Sequence, residues 1–154
     1  MDICETEELT PKQKGEILDL WNTEYPAKLC YTTLNDFEKY LSGLGEAQHF
    51  LLVDDSEAVK GWFVGFVRED AKWFAMILSS TVQGRGYGSK LLSNAKELAT
   101  ELNGWVIDHD NDKKRNGDSY ISPVTFYKKN GFEVIGTTRL ELDIISAVKI
   151  RWRK

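Results

Sequence analysis

A glycine-rich segment, residues 83–90, constrains the possible folds more than any other feature of the chain. It reads Gln83-Gly84-Arg85-Gly86-Tyr87-Gly88-Ser89-Lys90. The apolar run before it, Trp73 to Ser79, is strand-like, and the stretch after it, from about Tyr87 to Leu102, carries leucines and alanines at helical spacing. A short apolar strand, Trp105 to Asp108, follows. The sequence therefore predicts a strand–helix–strand unit, which favours parallel pairing of its two strands.

The remaining elements follow from hydrophobic periodicity and from turn residues. Helix starts are predicted at Thr10-Pro11 and at Thr33, and Asn103-Gly104 is predicted to end the long helix. The other predicted elements are the strands Met1 to Thr6, His49 to Val53, Val59 to Arg68, Phe132 to Leu142 and Ala147 to Arg153, and a short helix, Val124 to Lys129. Together they predict one mixed α/β domain over residues 1–154. Its central sheet is mostly antiparallel, with six to seven strands and one parallel pair, and about four helices flank it.

The charge of the chain excludes some classes of partner. Lys plus Arg number 20 and Asp plus Glu number 24, a net charge of -4, and the acidic excess lies in the first eight residues. A broadly cationic nucleic-acid-binding protein is thereby excluded. The apolar runs are strand-sized, well below the ~20 residues of a bilayer-spanning helix, so we expect no membrane partner. The N-terminus lacks a signal-peptide pattern, and the two cysteines, Cys4 and Cys30, lack zinc or redox spacing. We therefore expect a cytoplasmic protein without a metal.

The glycine-rich segment also indicates a ligand. Glycines let the backbone approach a ligand closely, and free amides at a helix start attract anions. Arg85 and Lys90 add positive charge at the same end, so a phosphate-bearing ligand is expected. A dinucleotide fingerprint is excluded because the position three after Gly86 is Ser89, and a P-loop is excluded because no Gly-Lys-Ser/Thr is present.

Two motifs resemble those of the GNAT superfamily of N-acyltransferases. Gln83-Gly84-Arg85-Gly86-Tyr87-Gly88 matches every fixed position of the family's pyrophosphate loop, Gln/Arg-x-x-Gly-x-Gly/Ala. The second family segment, a Tyr followed by a short polar stretch and Gly-Phe, is matched by Phe126 to Phe132. The predicted order of elements is similar to that of the family across almost the whole chain. The resemblance implies a GNAT-like fold in which the parallel strands splay apart at their carboxyl ends.

The resemblance implies acetyl-CoA as co-substrate. The strand before the loop would pair with the pantetheine arm through Leu78, Ser79 and Ser80, and the amides of Arg85 to Lys90 would hold the pyrophosphate. The Leu78 amide would also polarise the thioester carbonyl. The residues expected to bind the cofactor are Leu78, Ser79, Ser80, Gln83, Gly84, Arg85, Gly86, Tyr87, Gly88, Ser89 and Lys90.

The resemblance also implies the catalytic groups. Tyr127 matches the family tyrosine that protonates the departing thiolate, and a phenol near pKa 10 is protonated at neutral pH. The alternative is that Tyr127 only packs in the core. An alkylammonium must lose a proton before it attacks, and Asp108 lies where a family carboxylate recurs, with His109 and Asp110 beside it. The alternative for these three residues is a strand end that breaks into a solvated loop.

The expected activity is acetyl transfer from acetyl-CoA to a primary amine by direct attack on the thioester. The acceptor would be a small-molecule or peptide amine, and its identity stays open, as does a homodimer. A non-catalytic acyl-CoA-binding regulatory module with the same fold is the alternative. The chain departs from the family pattern at Tyr120, where Asn is common, at Pro123, where Ala is usual, and in the long loop 109–120.

Overall fold

The structure is a computed structural model that describes all residues, 1–154. Its elements are β1 (Asp2–Thr6), α1 (Pro11–Glu24), a short 3₁₀ helix (Ala27–Leu29), α2 (Leu34–Ser42), β2 (Gly45–Val53), β3 (Val59–Arg68), β4 (Ala71–Leu78), α3 (Tyr87–Glu97), β5 (Glu101–Val106), α4 (Val124–Lys129), β6 (Glu133–Leu142) and β7 (Ile145–Arg153). No helix is both long enough and apolar enough to cross a membrane.

One seven-stranded sheet runs through the molecule in the order β1-β2-β3-β4-β5-β7-β6. Every neighbouring pair is antiparallel except β4 and β5, which pair in parallel through a single register position, Trp73 with Asn103. The predicted fold class is confirmed, with seven strands, one parallel pair and four α-helices. Beyond Trp73 the two parallel strands separate, which opens the sheet at their carboxyl ends.

Local signals explain the starts of the first two helices. The Thr10 side chain accepts a hydrogen bond from the Gln13 amide, and the Gln13 side chain accepts one from the Thr10 amide, which is a complete capping box. Pro11 occupies the first turn, where its missing N–H leaves no intrahelical bond unmade. At α2 the Thr33 hydroxyl accepts from the Asp36 amide. Both starts agree with the predictions.

The sheet buries an apolar layer on each face. On one face α1 and α2 cover a cluster built around Ile17, Phe37 and Trp62. On the other face α3 and α4 cover a cluster that includes Leu91, Phe74 and Tyr127. Because a strand alternates its side chains between the two faces, β3 and β4 supply both clusters. Helices on both faces of the sheet therefore border the gap between β4 and β5.

The predicted end of the long helix is wrong. α3 ends at Glu97, and β5 already begins at Glu101, so Leu102 and Asn103-Gly104 lie within the strand. Asn103 is 2% exposed, and its amide donates to the Lys72 carbonyl at 3.0 Å. A Cβ on Gly104 would lie 2.7 Å from the Phe74 ring. Glycine at this position allows the strand to pass close to Phe74. In the sequence, the same Asn-Gly pair has the pattern of a helix end, which is why the helix was predicted to end there.

Two further boundaries differ from the predictions. β2 begins at Gly45 rather than His49, and a register irregularity separates Gly45 from Gln48. Residues 112–120, predicted as part of a long loop, fold back on themselves: the Tyr120 amide donates to the Asp112 carbonyl at 2.9 Å, and the Lys114 amide donates to the Asp118 carbonyl at 2.8 Å. We call residues 112–120 the 112–120 hairpin.

Candidate active site

Two adjoining cavities occupy the gap between β4 and β5. The loop cavity, about 470 Å³, is bounded by the glycine-rich segment and by α4. The aromatic cavity, about 260 Å³, lies on the side of α1 and the 3₁₀ helix. Five residues line both cavities, which places them where the two meet: Tyr25, Met76, Tyr120, Pro123 and Tyr127. A ligand that enters through one cavity therefore reaches a ligand in the other at these residues.

The glycine-rich segment folds into an open turn that leads into α3. Gly84 and Gly86 have φ angles of 78° and 84°, a left-handed conformation that favours glycine, and no atom lies within 4 Å of the Cβ that either would carry. Gly86 is the N-cap of α3, and no side chain caps the helix. The first intrahelical bond joins the Lys90 amide to the Gly86 carbonyl, so the amides of Tyr87, Gly88 and Ser89 have no partner within the helix. Such a helix start suits a bound phosphate.

Several predicted cofactor residues lie at this turn, and others do not reach the cavity. Those that line the loop cavity are Leu78, Gln83, Gly84, Gly86, Gly88 and Ser89. Arg85 and Lys90 are exposed beside it, and the Lys90 ammonium lies 5.6 Å from the centre of the Tyr87 ring. The loop cavity thus has a glycine-lined end with cationic side chains at its rim.

The backbone at the end of β4 faces the gap at alternate residues. The Ser79 amide donates to the Lys60 carbonyl of β3 at 2.8 Å, and the Ser80 amide donates to the Glu24 carboxylate at 2.8 Å. Because backbone groups alternate in direction along a strand, Met76 and Leu78 point away from β3 and into the gap. The Tyr25 hydroxyl donates to the Met76 carbonyl at 3.3 Å, which shows that this carbonyl points away from β3.

Close packing sets the width of the loop cavity. A Cβ on Gly88 would lie 2.9 Å from the Phe126 ring, so the first turn of α3 and the side chain of α4 approach each other only because residue 88 is glycine. Phe126 lines the loop cavity opposite the glycine-rich segment. The two motifs that the sequence singled out, 44 residues apart at Gly88 and Phe132, are brought to one site.

Tyr127 lies where the cavities meet. It is 5% exposed and packs against Phe74 and Phe132, with ring centres 5.7 and 5.4 Å away. Burial raises the pKa of its phenol, and the nearby Tyr120 raises it further. The side chain therefore packs in the core and also lines both cavities. The two alternatives weighed for this residue from the sequence are compatible in the structure.

Asp108 and His109 lie outside both cavity linings. The Asp108 carboxylate is bound by the Arg139 guanidinium through two hydrogen bonds of 2.9 and 3.0 Å. These bonds hold the pKa of Asp108 below its usual value. The His109 imidazole accepts a hydrogen bond from the Asn111 amide at 3.1 Å. The structure does not bring either side chain to Tyr127.

Glu24, at the end of α1, is a site residue that the sequence prediction did not include. It is 6% exposed and is the one carboxylate in either cavity lining. One oxygen accepts from the Ser80 amide, and the other lies 3.2 Å from the Lys114 ammonium. The resemblance had placed the segment Trp21 to Tyr31, with Glu24 and Tyr25, at the border of the acceptor site, without assigning Glu24 a catalytic role.

The 112–120 hairpin forms a wall of the site. The Ala27 amide donates to the Lys113 carbonyl at 2.8 Å, and Lys28 pairs with the buried Asp112 at 2.9 Å. With the Lys114–Glu24 pair, these contacts fix the hairpin against the end of α1 and place Tyr120 over both cavities. Tyr120 lies edge-on to Tyr25, with ring centres 6.4 Å apart. No group of three or more His, Cys, Asp or Glu side chains is arranged to hold a metal ion.

The family model of the acetyltransferase (GNAT) domain matches residues 45–134, more than half of the chain. This chain belongs to the GNAT family. The matched residues include the glycine-rich segment and Tyr127, so the resemblance stated from the motifs is confirmed. No curated protein is similar enough in sequence to be called a relative.

Solved GNAT structures share the whole fold at low sequence identity. An aminoglycoside 6'-N-acetyltransferase complexed with coenzyme A superposes with a TM-score of 0.74 at 15% identity, covering 99% of this chain and 97% of that one. A phosphinothricin acetyltransferase from Sinorhizobium meliloti in complex with AcCoA superposes with a TM-score of 0.68 at 14% identity, covering 99% of this chain and 89% of that one. A spermidine N-acetyltransferase from Vibrio cholerae superposes with a TM-score of 0.67 at 14% identity, covering 99% of this chain and 95% of that one. At these identities the likeness shows the fold, and the acceptors differ from one neighbour to the next.

Proposed function

We propose that this GNAT protein transfers the acetyl group of acetyl-CoA to a primary amine by direct attack of the amine on the thioester. The observation that carries the proposal is the position of Tyr127, a buried phenol at the junction of two cavities with different linings. One cavity ends at an uncapped helix start, and the other is lined mainly by aromatic side chains. The loop cavity would hold acetyl-CoA, and the aromatic cavity would hold the acceptor.

The residues of the loop cavity fit a pyrophosphate and a narrow arm. The free amides of Tyr87, Gly88 and Ser89, together with the open turn at Gly84 and Gly86, would bind the pyrophosphate oxygens. Arg85 and Lys90 lie at the rim, where their charge would attract it. Structural neighbours of this chain are complexed with coenzyme A or AcCoA, which supports the same ligand here.

The end of β4 would orient the thioester. The Leu78 amide points into the gap, whereas the amides of Ser79 and Ser80 already donate within the protein. We therefore assign the pairing with the pantetheine arm, and the hydrogen bond to the thioester oxygen, to the backbone around Leu78. A fixed amide stabilises the negative charge that develops on that oxygen as the amine attacks.

Tyr127 would act as the general acid. When the amine nitrogen bonds to the carbonyl carbon and the carbon–sulfur bond breaks, the electron pair remains on sulfur, and the phenol donates its proton there. Burial raises the pKa of Tyr127, so the phenol keeps its proton throughout the neutral range.

Glu24 is our candidate for the group that accepts the proton from the ammonium. It is a carboxylate in the cavity lining, beside Tyr25 at the junction, whereas Asp108 is engaged by Arg139 and His109 lies in the following loop. A base acts directly or through one water, and we assign this role to Glu24 because it is the one carboxylate in either cavity lining. This assignment replaces Asp108 and His109, which the resemblance had implied.

The test is release of free CoA thiol from acetyl-CoA in the presence of a broad panel of amines, followed with a thiol reagent. Thiol release that depends on an amine, with an equal amount of N-acetylated product by mass spectrometry, would support the proposal. Thermal stabilisation by acetyl-CoA without turnover on any amine would instead favour a non-catalytic acyl-CoA-binding module. The absence of stabilisation and of turnover would contradict both.

A further inference from the structure

The aromatic cavity has a lining that selects among amines. Three tryptophans, five tyrosines and two phenylalanines line it, and the single charged residue in the lining is Arg68. No carboxylate faces it. The tyrosines are neutral as well, because burial raises the pKa of each phenol, to about 12 for Tyr120. The cavity therefore offers an apolar surface and no negative charge for a second ammonium group.

The rings are mutually packed and present a preformed surface. Trp21 contacts Tyr25, Tyr31 and Tyr40, with ring centres between 4.6 and 5.4 Å away. Trp73 and Trp105, also in the lining, lie with ring centres 5.4 Å apart and planes tilted by 30°. Flat aromatic surfaces bury a large apolar area, and aromatic pairs add about 0.5–1.5 kcal/mol beyond area burial. An aromatic or otherwise apolar body suits such a surface. A hydrated polyhydroxylated or polyamine chain would exchange its water for the few tyrosine hydroxyls of the lining and for no carboxylate.

Arg68 supplies a charge at the end of the cavity away from Tyr127. It forms none of the ion pairs of the molecule. Its guanidinium folds back over Phe66, 4.9 Å from the ring centre, and Phe66 is the register partner of Trp73. Met76, at the junction of the cavities, follows Trp73 by three residues of β4. The distance along the strand between them is therefore about 10 Å, at ~3.3 Å per residue. An anion at Arg68 therefore lies on the order of 10 Å from the reacting nitrogen.

We propose that the acceptor is a primary amine with an aromatic or otherwise apolar body and an anionic group remote from the amine. The inference rests on the proposed acetyl transfer and adds the substrate class. The nitrogen would lie at the junction beside Tyr127, the body between the tryptophans, and the anion on Arg68. An α-amino acid does not meet this geometry, because its carboxylate lies next to its amine. A polyamine or an aminoglycoside would place further cations in a cavity whose one charge is positive.

The experiment compares kcat/KM for acetylation of five amines: 4-(2-aminoethyl)benzoate, phenethylamine, phenylalanine, spermidine and an aminoglycoside. We expect 4-(2-aminoethyl)benzoate to exceed phenethylamine by about tenfold, as one favourable ion pair of ~1.4 kcal/mol would give, and to exceed the other three by more. Arg68 is exposed, so its substitution leaves the fold intact. Arg68→Glu should lower the ratio of kcat/KM for the benzoate to kcat/KM for phenethylamine by about tenfold or more, and Arg68→Lys should retain the preference in part.

The outcomes separate this inference from the proposed function. If spermidine or the aminoglycoside is the best substrate, or if Arg68→Glu does not alter the preference, the substrate class is wrong and acetyl transfer stands. If no amine is acetylated, acetyl transfer is wrong, and the cavity is tested by tryptophan fluorescence. Quenching by 4-(2-aminoethyl)benzoate in the wild type, weakened at least tenfold in Arg68→Glu, would then support the binding site. Equal or absent quenching would overturn it.

Discussion

The Arg139 guanidinium holds the Asp108 carboxylate in a bidentate ion pair, with nitrogen–oxygen distances of 2.9 and 3.0 Å. Arg139 also bonds Glu141 and Ser146, so the pair belongs to a polar network on β6 and β7. A carboxylate held in this way is a weak base, since the bonds that bind it also lower its pKa. Asp108 therefore belongs to a polar network outside both cavities, and we propose Glu24, which lines the loop cavity, for proton transfer.

Glu24→Gln should lower kcat by about 10²-fold, the lower end of what a general base contributes. Glutamine keeps an oxygen that accepts from the Ser80 amide, so the end of β4 stays in place while the basic oxygen is lost. The variant also loses the ion pair with Lys114, but the Lys28–Asp112 pair and the bond from the Ala27 amide to the Lys113 carbonyl still hold the hairpin. The measurement is the pH profile of kcat with a good acceptor amine.

Asp108→Asn and His109→Ala are the matched controls, and we expect each to stay within about threefold of the wild-type kcat, since surface groups outside a site contribute little. If Asp108→Asn lost as much activity as Glu24→Gln should lose, the assignment of the base would return to the strand end.

Tyr127→Phe should lower kcat by about 10²-fold and leave the affinity for acetyl-CoA near the wild-type value. Phenylalanine retains the packing against Phe74 and Phe132 and removes only the hydroxyl. Because burial raises the pKa of Tyr127, the wild-type enzyme should show no loss of kcat from ionisation of its acid between pH 7 and about 10. Unchanged kcat in Tyr127→Phe, measured at saturating acetyl-CoA, would leave the residue with a packing role only.

Gly86→Ala should raise the KM for acetyl-CoA by about tenfold. The added methyl group meets no atom within 4 Å, so its effect comes from the left-handed backbone, φ 84°, which costs a non-glycine residue roughly 1–2 kcal/mol. If alanine shifts the backbone at residue 86 away from the left-handed conformation, the amides that should face the pyrophosphate move with it. Gly136→Ala is the matched control, because residue 136 lies in β6 in open space and without a positive φ. Equal KM values for the two variants would remove the glycine-rich segment from cofactor binding.

Stability should rise with pH between about 4 and 6.5 because of His49. Its Nδ1 accepts a hydrogen bond from the Trp62 indole at 3.0 Å, and burial lowers the pKa of His49 to about 4. In that window the unfolded chain binds a proton and the native chain does not, so the free energy of unfolding falls as the pH falls. The loss should be on the order of 2 kcal/mol by pH 4.

His49→Gln keeps an acceptor for the Trp62 indole and removes the titrating group. Urea unfolding at several pH values should therefore show a smaller dependence between pH 4 and 6.5 in the variant than in the wild type. Parallel curves for the two proteins would show that His49 does not set this dependence.

Much of the fold was predictable because its signals are local. The Thr10 capping box and the length of β3 follow from residue types close together in the chain. The start of β5 was not predictable, since Asn103 and Gly104 resemble a helix end. Within the strand, the Asn103 amide binds the Lys72 carbonyl, and Gly104 leaves room for the Phe74 ring. Both partners are about thirty residues away in sequence.

The residues of the candidate site likewise fall into those that local motifs predict and those that contacts between distant segments determine. The glycine-rich segment and Tyr127 were identified because their geometry depends on short motifs. Glu24 was not among the predicted catalytic residues because the contacts that hold it beside the cavity come from Ser80 and Lys114, in distant segments. Asp108 was chosen as base because the sequence does not show that Arg139 folds over it. Motifs predict the parts of a site that one segment builds, whereas contacts between segments decide which carboxylate faces a cavity.

A crystal structure of this protein with coenzyme A would test the proposed cofactor site most directly. We expect the pyrophosphate on the amides of residues 84–89 and the pantetheine arm along the open edge of β4. The thiol sulfur should lie within hydrogen-bond distance of the Tyr127 hydroxyl, at the junction with the aromatic cavity. A coenzyme bound elsewhere, or one whose sulfur ends away from Tyr127, would contradict the proposed site.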